Sequence, residues 1–254
     1  MLSVAGVNSS DVMYDLGCGD GRIVISAVKK CNVRKAVGID IDPFRIRDSN
    51  ANAKKEGITG RVEFREENIF EADYRDATVI AMYLLDTINL RLRQPFFDTL
   101  KPGTRLVSHN FTMGDWEPDR LIKVTGLDGW TGHRVLFWVI PANMSGDWTF
   151  TVGNAAHALH IDQKYQVITG WIEVNGSRRN ITNAKVTGYA IQFSVPRDTG
   201  NALYQYQGIV NGDTITGTIQ TGQTSSPWTA ARDPKTMRTI TTEPPVEQEE
   251  VRDS

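Results

Sequence analysis

Val12-Met13-Tyr14-Asp15-Leu16-Gly17-Cys18-Gly19-Asp20-Gly21-Arg22 is the stretch whose reading decides the fold. Apolar residues run into an acid, three glycines follow at alternate positions, and a helical pattern starts at Ile23. That order predicts a strand, a tight turn and a helix start. A helix N-terminus offers unpaired N–H groups and a partial positive charge, so the turn is suited to hold a nucleotide-like group.

Outward from this turn, strand-like and helix-like segments alternate to about residue 140. Met13–Leu16 is the first strand, and Ile23–Lys30 is a helix with Lys29 and Lys30 in its last turn, where cations suit the helix dipole. Ala36–Ile39 is the second strand. A helix then starts at Pro43 and runs to about Glu56, stopped by Gly57. Val62–Arg65 is a third strand. Ala77–Leu84 is a near-continuous apolar run, as expected of a strand buried on both faces of a parallel sheet. A helix over Leu90–Leu100 ends at Pro102-Gly103, and Thr104–His109, Leu121–Val124 and Arg134–Ile140 complete the set. The alternation predicts an α/β domain over residues 1–143, an open, mostly parallel sheet with helices on both faces.

After Pro141 the helical period disappears. Asn175-Gly176 and Asn211-Gly212 each lie between alternating apolar and polar residues, a strong hairpin signal. Residues 146–232 are therefore expected to form a small antiparallel β-domain, barrel or sandwich. Tyr165–Gly170 and Tyr206–Asn211 echo each other, read as shared hairpin chemistry rather than a repeat. The polar, acidic segment 233–254 has little to bury and is expected to be a disordered tail.

The glycine spacing narrows the ligand. In dinucleotide enzymes G-x-G-x-x-G aims N–H groups at a pyrophosphate. Here the spacing is G-x-G-x-G, and Asp15 stands before it, where a carboxylate repels pyrophosphate and suits a cation or an amino group. S-adenosylmethionine has a sulfonium, an amino-acid moiety and no phosphate. Asp40, at the end of the second strand, can accept hydrogen bonds from both hydroxyls of its ribose. In Glu67-Asn68-Ile69-Phe70, Asn68 is expected to bond the adenine edge while Ile69 or Phe70 covers its face.

The motifs DLGCGDGR, GIDIDP, GRVEF with ENIFEAD, DATVIAMYLL, LKPGTRLVSHNF and GDW resemble those of the class I methyltransferases. The glycine motif alone reaches only the superfamily. Tyr83-Leu84-Leu85 with Asn89, and Ser108-His109-Asn110-Phe111 with Trp116, make the chain similar to a narrower lineage. That lineage holds the broad-specificity archaeal protein-lysine methyltransferases and the related mitochondrial lysine methyltransferases. The resemblance covers about residues 1–141. It implies a Rossmann-like fold and methyl transfer from S-adenosylmethionine to a lysine ε-amino group of a protein substrate. It also implies that Asp15, Gly17 and Gly19 line the methionine and ribose side, Asp40 the ribose, and Asn68 and Ile69 the adenine. Tyr83 and Leu84 would border the transferring methyl.

Two departures from the lineage stand out. Its members carry a further proline-rich segment and an amphipathic helix that covers the cofactor, and Met1-Leu2 fall near the end of that helix. Weak cofactor affinity is expected if that segment is lost. They also usually have Asp or Glu where this chain has Asn110, an amide that can orient a neutral amine but not act as a base. Asn110 is thus expected at the catalytic position, and His109 is a further candidate proton acceptor. Two other readings stand beside lysine methylation: a small-molecule methyltransferase, and a degenerate fold that binds through its β-domain.

Bulk properties exclude several classes. The net charge of -2 over 254 residues gives no electrostatic case for nucleic acid. No apolar run approaches the roughly 20 residues of a membrane span. Cys18 and Cys31 are too few for a disulfide framework and lack metal-ligand spacing, and no chemical role falls to Cys18. His157, His160 and Asp162 lie close in sequence, but no metal is expected there. The tryptophans, Trp130 included, are expected mostly to pack cores. The start carries no signal-peptide pattern, so the cytoplasm is the default compartment, with the periplasm or exterior the alternative where a leader precedes this chain. The ligand of the β-domain is not legible.

Overall fold

Continuous burial in its central strands builds one sheet and alternating burial builds a second, each in its own unit. The computed structural model describes residues 1–125, 129, 131–197 and 202–240. Among the described residues, one unit takes in 1–100 and 104–138, and the other takes in 101–103 and 139–240.

The first unit holds β1 (Val12–Leu16), α1 (Arg22–Cys31), β2 (Lys35–Asp40), α2 (Pro43–Lys55), β3 (Val62–Glu66), β4 (Val79–Met82), α3 (Asp86–Thr99), β5 (Arg105–His109), β6 (Arg120–Val124) and β7 (His133–Val139). They form a seven-stranded sheet of order β3-β2-β1-β4-β5-β7-β6. The first five are parallel and β6–β7 is an antiparallel pair. β1 and β4 are buried at every position, as central strands covered on both faces must be. α1 buries Val24, Ile25, Ala27 and Val28, spaced to make one apolar face. Asp42 caps α2 by accepting from the Phe44 N–H at 2.8 Å, and Pro43 sits just after it.

The apolar run from Ala77 is longer than the strand inside it. Tyr83 and Leu85 leave the sheet and are exposed, because the chain turns there into α3, which starts at Asp86 rather than at Leu90. Asp86 ties that early turn by accepting from the Thr112 backbone N–H at 2.5 Å and from its hydroxyl at 2.8 Å.

The second unit is a β-meander: β8 (Gly146–Val152), β9 (Ala155–Lys164), β10 (Val167–Val174), β11 (Ser177–Asn180), β12 (Thr182–Thr187), β13 (Ala190–Pro196), β14 (Leu203–Asn211), β15 (Thr214–Thr221) and β16 (Thr224–Arg232). β16 pairs with β8, and β9 pairs with β10, so eight strands close into an antiparallel barrel and β11 lies beside β10. Closure abolishes the sheet edges, which a sandwich would leave. Asn175 and Gly176 both have positive φ in a two-residue turn of the primed type. The second Asn-Gly differs: Asn211 pairs with Thr214 as a strand residue, and the turn is Gly212-Asp213. The two echoed segments also diverge, since Tyr165 occupies a turn at positive φ while Tyr206 points into the core.

Trp116, Trp138, Trp148 and Trp228 are buried, whereas Trp171 is half-buried, stacked on His160 with Arg178 over it. Trp130 lies outside the described residues. Residues 233–240 are not the loose tail their composition suggests. Pro234–Thr236 forms a short 3-10 turn, Arg238 bonds the Ile161 carbonyl and Asp162, and Ile240 is buried. A few specific bonds to backbone anchor this piece, which composition does not register. Residues 241–254, the rest of that expected tail, lie outside the described residues.

Candidate active site

The strand order reverses at β1, between β2 and β4, and in open α/β sheets the crevice at the C-terminal strand ends of such a switch point takes the ligand. β1 delivers Asp15, β2 delivers Asp40, β4 runs out into Tyr83 and Leu84, and β5 ends at His109 before Asn110.

The glycine turn hangs on β2. Gly17 and Cys18 donate to the Ile39 carbonyl at 2.8 and 3.0 Å, and the Gly19 N–H donates to Asp40 Oδ2 at 2.9 Å. Gly17 and Gly19 have φ of 75° and 55°, a region that side chains disfavour. A Cβ on Gly17 would stand 2.6 Å from Leu84 Cδ2, so Leu84 packs directly on the turn. A Cβ on Gly19 would meet nothing within 4 Å, which leaves its surface clear for a bound group.

Asp15 is 2% exposed, and its Oδ2 is buried without a hydrogen-bond partner. Burial, then the charges of Asp40 and Asp20, push its carboxyl up to about 8. A carboxylate held this way is poised for a cation that would both pair with it and restore its charge. An orphaned buried acid beside a cleared glycine surface fits a cofactor with a positively charged amino-acid portion. Burial also pushes the Cys18 thiol up, away from nucleophilic chemistry.

Asp40 is busier than the sequence suggests. Its Oδ1 accepts from the Asp42 N–H at 3.0 Å, while Oδ2 holds Gly19. A carboxylate has about four lone-pair sites, so two remain for hydroxyl donors. Ile41 follows at 72% exposure. Sequence reasoning passed over it, although an isoleucine between two acids in GIDIDP is a signal of an apolar contact outside the core. Asn68 sits beside Asp40 through the Glu67 N–H, which donates to the Asp40 carbonyl at 3.1 Å. Its amide is spent locally: Oδ1 accepts from the Phe70 N–H at 3.1 Å and Nδ2 donates to Glu71 at 3.0 Å. Asn68 thus shapes the turn that carries Ile69, and its side-chain bonds are not aimed outward as expected. Phe70 lies under the Arg91 guanidinium at 3.8 Å.

On the other side of the crevice, Tyr83, 55% exposed, lies 4.6 Å from the His109 ring and 5.7 Å from Phe111. His109 Nε2 is 2.8 Å from His133 Nδ1, a partner 24 residues away that no local spacing announces. Burial, then the neighbouring His133, lowers the His109 pKa, so the ring is neutral near pH 7. Asn110 takes φ of 66°, and its Oδ1 and N–H exchange bonds with the Arg134 backbone, each 2.8 Å. The side-chain oxygen is therefore committed to β7, and an amide suits this left-handed position on backbone grounds alone. Asn89, buried in α3, donates to the Thr112 carbonyl at 3.2 Å and fixes the segment after Phe111.

The His157–His160–Asp162 group does not converge. His157 faces the barrel interior, whereas His160 lies outside between Asp147 (2.5 Å) and Asp162 (3.5 Å), because three residues along a strand change face.

Comparisons with known proteins point to the same cofactor. The family model described as the ANTKMT methyltransferase domain matches residues 15–120. A protein-lysine N-methyltransferase of Saccharolobus islandicus is 49% identical over 140 residues, covering 55% of this chain and 86% of that protein. The mouse adenine nucleotide translocase lysine N-methyltransferase is 29% identical over 106 residues, covering 42% of this chain and 46% of that protein, so the chain spans about half of that relative. The crystal structure of an RNA methyltransferase from Salinibacter ruber in complex with S-adenosyl-L-homocysteine is 45% identical with a TM-score of 0.52. The match covers 56% of this chain and 89% of that one. On this sequence likeness, with an orphaned acid and a cleared glycine turn in the crevice, the chain belongs to the S-adenosylmethionine-dependent methyltransferases of the protein-lysine N-methyltransferase family.

Proposed function

We propose that this protein methylates the ε-amino group of lysine in a protein substrate. The observation that carries the reading is the 49% identity across 86% of the Saccharolobus protein-lysine N-methyltransferase. Asp15, Gly17 and Gly19 hold the amino-acid portion of S-adenosylmethionine, Asp40 its ribose, and Ile41 with the turn of Asn68 and Ile69 its adenine. When bound, the cofactor supplies an electrophilic methyl on a sulfonium.

The chain's own groups orient and desolvate the acceptor. Tyr83, Phe111 and His109 form an aromatic shelf at the ends of β4 and β5, suited to the four-carbon stem of a lysine. Leu84, packed on Gly17, keeps water from the transfer point. The incoming amine must be neutral to attack, and His109, uncharged and linked to His133, accepts its proton. Asn110 holds β5 and β7 together beneath that pair.

RNA is the second reading, favoured by the 45% identity to the Salinibacter RNA methyltransferase. The net charge of -2 argues against it, because phosphate backbones are held by clustered cations. Incubation of the full chain with methyl-labelled S-adenosylmethionine and cell extract separates the readings. Label that is lost to protease and recovered as methyl-lysine is expected. Label released by ribonuclease, or found only in small molecules, overturns the lysine assignment.

A further inference from the structure

The barrel strands run alternately up and down, so the barrel has two distinct ends. One end is shut by Arg232, whose guanidinium lies 4.7 Å over the Trp148 ring, bonds Asp213 at 2.8 Å, and donates to the Asn143 and Ser145 carbonyls. At the other end, where β8, β10, β13 and β15 finish, a cavity of about 260 Å³ opens. Its floor is aromatic: Tyr206 stacks on Phe193 at 4.6 Å and meets Trp228 edge-on at 5.3 Å. Val152, Ile172, Val195 and Ile219 form the walls.

An eight-stranded barrel is just wide enough either to be filled by its side chains or to hold one small ligand. This one is filled at one end and hollow at the other, and an unfilled void costs stability. The polar groups at the hollow are uneven in kind. Arg179, whose guanidinium also donates to the Pro196 carbonyl at 3.3 Å, lines it with Tyr204, Thr221, Ser226 and His157. His157 Nδ1 is buried and has no hydrogen-bond partner, although the ring is fixed by stacking on Phe150 at 4.8 Å. A buried nitrogen left unpaired is costly, and an acceptor arriving with a ligand would satisfy it. A fixed cation, an unsatisfied imidazole and hydroxyl donors around an apolar chamber complement an anion with a hydrocarbon body. The volume lies just under the roughly 300–1,000 Å³ of sites for drug-sized molecules, so the ligand is smaller than those.

We propose that the open end of the barrel is a binding site for a small apolar carboxylic acid. Its carboxylate is received by Arg179 and His157, and its hydrocarbon part rests on Tyr206 and Ile219.

Calorimetry on the full chain with octanoate, with octanol as the uncharged control, tests this site independently of methyl transfer. Octanoate is expected to bind with a Kd below about 1 mM and octanol at least about tenfold more weakly. Arg179→Gln should weaken octanoate by about tenfold or more while leaving octanol nearly unchanged. Thr221→Trp, which places bulk at the rim of the hollow, should abolish both, and circular dichroism checks that each variant keeps its β signal. No octanoate binding at about 5 mM overturns the proposal. So does equal binding of acid and alcohol, or octanoate binding that survives both substitutions. Should one variant unfold, the other decides alone.

Discussion

The two units of this protein present their chemistry in opposite ways. The α/β unit gathers its site from residues at strand ends under tight local demands: glycines at positive φ, an acid that pins a turn, and an acid with one buried oxygen left unbonded. The barrel gathers its hollow from residues that are individually ordinary, aliphatic, tyrosine and hydroxyl side chains among them, spread over eight strands. The first kind of site leaves a motif in the sequence because few residue types meet each demand. The second leaves none, because what makes it a site is that closure fills one end and not the other.

Substitutions should separate the units cleanly. The largest effect is expected for Asp40→Ala, which removes the two ribose bonds proposed for it and frees the Gly19 and Asp42 N–H groups. Affinity for S-adenosylmethionine should drop roughly a thousandfold, the worth of two charge-assisted bonds. Octanoate binding should not change, and a matching loss there would break the comparison. In the barrel, Arg232→Met leaves buried carbonyls unpaired and should cost about 3 kcal/mol of stability. That loss is expected in the unfolding transition that the cofactor does not raise; a fall in the cofactor-sensitive transition would refute independent units.

Asp15→Asn tests the poised acid with two readouts of opposite sign. Transfer should slow by roughly fiftyfold, since an amide pairs weakly with a cation. Stability without cofactor should shift the other way at high pH. The folded carboxyl, pushed up to about 8, keeps a proton that the unfolded chain releases near its ordinary value of 3.8. The stability linked to that proton is therefore complete below the unfolded value and lost as pH rises through about 8. The asparagine variant should lose this slope and melt several degrees above the parent at pH 9, read by thermal scans across pH. The smallest effect is expected at Asn110. Asp tolerates the left-handed backbone and keeps the Oδ1 acceptor for Arg134, while adding charge near His109. Asn110→Asp should raise turnover by about threefold, and an unchanged or lower rate would leave Asn110 a backbone role only.

Much of the α/β unit was legible. Apolar runs of strand length marked every strand of the sheet, and the acids ending two of them marked the cofactor side. What periodicity missed are the places where tertiary contacts override it. β4 stops at Met82 although the apolar run continues, because Tyr83 to Leu85 leave the sheet for the crevice. Asn68 and Asn110 read as outward-facing amides, yet each spends its oxygen on backbone nearby. His133 joined the site with no sequence signal, as residues brought together by strand pairing rarely carry one.

The residues by themselves determined the turn, the acids at its flanks and hence the cofactor, because left-handed backbone and charge complementarity restrict the choice at each position. They also determined that a run of hairpins follows, because primed turns demand particular residues. Only the tertiary structure decided which acid is stranded in the core, which histidines meet, and which end of the barrel stays hollow. Those depend on burial and on distances between strands far apart in the chain, and no local preference encodes them.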